Sequence, residues 1–79
     1  MIETPAARAE ALFVSPLQGS QIPTIDQIRT AIADMLARLG PSGCAARMAE
    51  EYGDHPTEAV SRMMWVLAAL RAASTDDSG

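Results

Sequence analysis

Thr24-Ile25-Asp26-Gln27-Ile28-Arg29-Thr30-Ala31-Ile32-Ala33-Asp34-Met35-Leu36-Ala37-Arg38-Leu39-Gly40-Pro41 is the segment on which the fold reading turns. Thr24 and Gln27 stand three apart, the spacing of a capping box, in which each side chain satisfies an orphan backbone N–H of the other residue. Ile25, Ile28, Ile32, Met35, Leu36 and Leu39 recur at steps of three and four and make one apolar stripe. Asp34 and Arg38 form an i,i+4 pair on the wet side. Gly40-Pro41 ends the helix.

Downstream, Ser42 is placed to cap a shorter helix over 43–52, with Ala45, Met48, Ala49 and Tyr52 sharing a face and Gly53 as a left-handed stop. His55-Pro56 opens a third helix, with Pro56 in the first turn and Glu58 near the positive dipole end. Val60, Met63, Met64, Leu67 and Leu70 are its expected apolar face, and Glu58 and Arg62 its expected exposed ion pair. Trp65, Val66, Ala68 and Ala69 extend the apolar character nearly all the way round, so this helix is expected to be the central one or part of an interface.

Upstream, Thr4-Pro5 marks the start of a short helix that Ser15-Pro16 ends. Residues 14–23 read as a connector that packs down through Val14, Leu17 and Ile22. The expected organisation is a short N-terminal helix and connector (1–23), a three-helix core (24–73) and a disordered acidic tail (74–79). The fold class is all-α, a small three-helix core of helix-turn-helix-like geometry.

Composition agrees. The chain has 79 residues, 48% of them hydrophobic but only 4% aromatic. This alanine-rich mix favours helix. A domain this small buries only about 60% of the surface exposed by its unfolded chain. One cysteine, Cys44, rules out an intramolecular disulfide, and with His55 as the lone histidine no zinc pattern exists. No cofactor or metal site is expected. All six basic residues are arginine and the net charge is −4, which disfavours non-specific nucleic-acid binding. The most apolar run, residues 63–70, is too short to span a bilayer. The first residues lack the basic-then-apolar order of an export signal, so a cytoplasmic location is expected.

Ala49, Gly53 and Ala59 (or Val60) match the helix-turn-helix spacing: a small residue for close crossing, a glycine for the turn and an apolar lock. The second helix would show Thr57, Glu58, Ser61 and Arg62 to a groove, whereas base readers present arginine, asparagine or glutamine with extra cations for phosphates. Cys44 and His55 stand at opposite ends of one helix, about 16 Å apart, too far for a nucleophile–base pair. The chain is therefore read as a non-enzyme. Glu50, Glu51, Asp54 and Glu58 gather around the turn without calcium-loop spacing.

Met63, Met64, Trp65 and Val66, flanked by Glu58 and Arg62, are the candidate partner-binding residues, because methionine and tryptophan dominate helix-in-groove contacts. The expected function is a small protein–protein interaction module, a regulatory or accessory subunit, with a homodimer as one form of partnership. The alternative is a dimeric helix-turn-helix transcriptional regulator. The run Cys44-Ala45-Ala46-Arg47-Met48-Ala49-Glu50-Glu51-Tyr52-Gly53-Asp54-His55-Pro56, with Leu12-Phe13-Val14-Ser15-Pro16-Leu17-Gln18 upstream, resembles segments of small, uncharacterised, alanine-rich actinobacterial proteins. That resemblance implies a bacterial cytoplasmic setting and carries over no catalytic or binding residue.

Overall fold

In a computed structural model, which describes residues 4–77, the protein is all-helical. The order is α1 (Pro5–Val14), a 3-10 turn (Gly19–Gln21), α2 (Ile25–Asp54) and α3 (Pro56–Asp77). The thinnest dimension of the Cα trace is 17 Å, room for two layers of helix at the usual separation of about 8–10 Å.

The helix starts follow their sequence signals. Thr4 Oγ1 accepts from Ala7 N–H at 3.1 Å, with Pro5 in the first helical position. At α2 the capping box is complete: Gln27 N–H donates to Thr24 Oγ1 at 3.1 Å, and Thr24 N–H donates to Gln27 Oε1 at 2.8 Å. Asp34 and Arg38 pair at 3.1 Å on the surface.

The break at Gly40-Pro41 falls where expected, but no loop is inserted. Gly40 alone leaves helical geometry, at φ 71° and ψ 168°, and helix resumes at Pro41. Ser42 therefore lies inside the helix and is not a cap. The second limb of α2 runs on through Gly53 to Asp54, and the chain turns at His55 (φ −139°, ψ 65°). Gly53 is not left-handed; Gly40 is the only glycine of positive φ among the described residues. The inward row of this limb is Cys44, Met48 and Tyr52, while Ala49 is exposed. Ala49 and Gly53 thus do not occupy the crossing and turn positions that the helix-turn-helix spacing assigned to them.

The largest departure concerns α1. It is the centre of the molecule and not a preliminary to the core. Ala7, Ala9, Ala11, Leu12 and Phe13 are all buried. They pack with Ile28 and Ile32 from the first limb of α2, Cys44 from the second, and Ala59 and Val66 from α3. Alanine on several faces lets α2 and α3 approach the α1 backbone closely, and Leu12 and Phe13 fill what remains. Met35, Leu36, Leu39, Met48 and Tyr52 close the core at its edges. In the connector, Val14 and Leu17 pack against the core, but Ile22 does not; it is 85% exposed and takes a left-handed φ of 49°.

Helix α3 also runs further than expected. It passes Ala73 and continues through Asp77, since no glycine or proline interrupts residues 74–77 and extending an existing helix is cheap. Of the acidic tail, residues 78 and 79 lie outside the described residues. No helix among the described residues is long and apolar enough to cross a membrane.

Candidate functional site

Helix α3 carries every candidate partner-binding residue, and the fold distributes them over three faces. Its buried row is Ala59, Val66 and Ala73, each seven residues apart. Two of these three are alanines, so α3 lies close against the layer beneath. Val66, a candidate contact residue, is fully buried and is core. Met63 and Trp65 are half-buried and packed against the same cluster.

The second face grips the end of α1. Arg62 was expected on the wet side with Glu58. Instead its guanidinium turns inward: Nε donates to the Phe13 carbonyl at 2.7 Å, and Nη2 donates to the carbonyls of Ser15 at 2.8 Å and Leu12 at 3.3 Å. A helix ends with carbonyls that lack intrahelical donors, and at its negative dipole end. A planar cation with several N–H groups suits both needs. The preference is local: Ser15-Pro16 ends α1 abruptly beside α3, leaving several acceptors within reach of one fork. Ser15 assists, its hydroxyl donating to the Leu12 carbonyl at 2.7 Å.

The Arg62 guanidinium also lies over the Trp65 ring at 5.3 Å and over the Phe13 ring at 5.9 Å. Phe13 in turn stacks on Tyr52 at 5.7 Å. Burial pushes the Arg62 pKa below its ordinary value, and the Glu51 carboxylate partly offsets that. The connector also lies close to Trp65. A Cβ added at Gly19 would stand 2.8 Å from Trp65 Cδ1, so only glycine fits there without a shift. The pattern Arg62-x-x-Trp65 does not announce this role in the sequence, since its acceptors are backbone atoms about fifty residues away.

Below this clamp is a cleft of about 760 Å³, lined by Arg47, Glu50, Glu51, Asp54, His55, Glu58 and Arg62 above Phe13 and Ala59. The acidic residues that the sequence gathered around the turn do meet here, mixed with two arginines. Among the described residues no three histidine, cysteine or acidic groups are arranged to hold a metal ion. Cys44 is remote from the cleft; it is buried, its Sγ donates to the Met35 carbonyl at 3.7 Å, and burial and the Glu10 charge raise its pKa. His55 is exposed, and its backbone N–H caps α2 on the Glu51 carbonyl at 2.7 Å.

The third face of α3 points away from the protein. Val60, Met64 and Leu67 are 51%, 68% and 50% exposed. Beside them run Thr57, Ser61, Ala68 and Ala72, also exposed. From Ala59 to Leu70 the one charged residue is Arg62, and it points inward. The outward face is therefore uncharged for about three turns. Of the expected contact residues, Met64 belongs to this face. Val60 and Leu67, which the sequence assigned with Met64 to the apolar face of this helix, join it.

Compared with protein-family models, curated proteins and solved structures, the chain has no match.

Proposed function

We propose that the protein is a small interaction module that works by docking the outward face of α3 onto another protein chain, as a regulatory or accessory subunit. The observation that carries this reading is the uncharged stripe of Val60, Met64 and Leu67 on a helix whose opposite side is fully employed in the core. Isolated exposed apolar residues are ordinary, but a contiguous apolar face on a small domain marks a contact surface. Methionine at its centre suits such a role, because its unbranched, polarisable side chain adapts to the surface it meets. The acidic corner made by Glu50, Glu51, Asp54 and Glu58 lies at the start of the same helix and adds orientation, since rim charges steer encounter and register.

The test compares wild-type protein with Met64→Asp in capture from a lysate of the source cells, with and without nuclease. The expected result is a stoichiometric protein held by the wild type after nuclease treatment and lost with Met64→Asp, while helical circular dichroism and melting temperature are unchanged. Identical capture by both forms overturns the reading. Capture that disappears with nuclease transfers the function to nucleic acid.

A further inference from the structure

We infer that the connector between α1 and α2 is a detachable strap. Residues 16–23 rest against Trp65 and lift from it while the helices stay packed, and backbone strain at Ile22 loosens the closed form. The inference concerns access to Trp65 and holds whether or not the outward face of α3 docks a partner.

The ends of the strap are fixed. At one end the Ser15 carbonyl accepts from Arg62 at 2.8 Å and the Ser15 hydroxyl donates to the Leu12 carbonyl. At the other, Thr24 and Gln27 close the capping box that starts α2. Between them the strap is held lightly. Its 3-10 turn contains no buried residue. Among the described residues its hydrogen bonds are local: Leu17 N–H donates to Ser15 Oγ at 3.4 Å and Gln18 N–H to Gln21 Oε1 at 2.9 Å. Gln21 N–H donates to the Gln18 carbonyl and Ile22 N–H to the Gly19 carbonyl, both at 3.0 Å. The turn can therefore lift as a unit with its own bonds intact.

Two contacts hold it to the helices. Leu17 packs on the edge of the core, and the backbone of Gly19 lies against the Trp65 indole. The second contact is set by shape. Gly19 does not have a positive φ, so alanine suits its backbone, yet an added Cβ would stand 2.9 Å from Trp65 Nε1.

Ile22 works against these contacts. It sits at φ 49° and ψ 61° with its side chain 85% exposed. A β-branched residue in the left-handed region carries a steric cost, and here no packing offsets it. Strain that persists in a segment so lightly held brings the closed and lifted forms close in free energy, the condition for local opening. Lifting bares the indole edge of Trp65, on the same side of α3 as the exposed residues Ser61, Ala68 and Ala72. A partner that touches that edge binds only the open form and draws the equilibrium towards it.

Trp65 is the one tryptophan, so exchange of its indole N–H and acrylamide quenching of its fluorescence both report on the strap. In native-state hydrogen exchange of the full chain, the indole N–H should exchange through an opening that depends little on sub-denaturing urea. The Leu12 amide should exchange with the full urea dependence of unfolding. Ile22→Asn suits the left-handed region and removes no packing, and it should slow indole exchange about fivefold. Gly19→Ala should speed it about tenfold and increase quenching. Indole exchange with the urea dependence of the Leu12 amide overturns the strap, which then leaves only with the whole fold. No response to Gly19→Ala also overturns it, Trp65 then being open as it stands. No response to Ile22→Asn overturns Ile22 as the source of the strain.

Discussion

Helices α1 and α3 make opposite use of apolar sequence. In α1, ten residues long, five are buried and even the terminal carbonyls are claimed by Ser15 and Arg62. In α3, more than twice as long, the buried residues among those described are the single row Ala59, Val66 and Ala73, and larger apolar side chains face outward. A short helix enclosed by two neighbours buries residues on most of its sides, whereas a long helix at the edge of a two-layer molecule buries one. Hydrophobicity is therefore a poor guide to burial in this protein, and position in the layers is a better one.

Mutations can break that contrast. The largest expected effect is at Leu12, fully buried at the centre of the core. Leu12→Ala should cost about 3–4 kcal/mol in chemical denaturation, a large share of the stability of so small a domain. The same truncation at Leu67, half exposed on α3, should cost less than about 1 kcal/mol. Equal losses at the two positions would show that α3 is buried in solution.

Next is the link between the helices. Arg62→Met keeps the stem and removes the guanidinium, leaving the carbonyls of Phe13 and Ser15 without its N–H groups. It should destabilise by about 2–3 kcal/mol. Arg62→Lys should recover part of the loss, because an ammonium offers charge without the planar fork. Full recovery by lysine would mean that charge alone matters at the end of α1.

Gly40→Ala probes α2, which wraps α1. A Cβ at Gly40 meets nothing within 4 Å, so its cost is purely that of the backbone at φ 71° and ψ 168°. A loss of about 1–3 kcal/mol is expected by thermal denaturation. The smallest effect is at Met64, where Met64→Asp should leave the melting curve of the monomer within about 0.5 kcal/mol of wild type. A large loss there would move the outward face of α3 into the fold.

Much of the framework was legible in the chain. The caps at Thr4 and Thr24, the break at Gly40-Pro41, the restart at His55-Pro56 and the Asp34–Arg38 pair are short-range features, each decided by residues within one turn of one another. The stripe through Ile28 and Ile32 was legible because charged residues mark its other side. The inward face of α3 was not. With apolar residues all round, periodicity has no polar side to contrast with. The face chosen by α1 is the one with small residues, whereas a reading weighted by side-chain size selects Val60, Met64 and Leu67.

Sequence alone thus determined that the protein is helical, where its helices begin, and where the chain must bend, because backbone capping and glycine and proline geometry are local. Only the tertiary structure decided that the shortest helix is the centre, that Arg62 serves the end of α1, and that Met64 and not Val66 faces outward. Those outcomes depend on which surfaces approach most closely, and that is settled by packing among segments up to fifty residues apart.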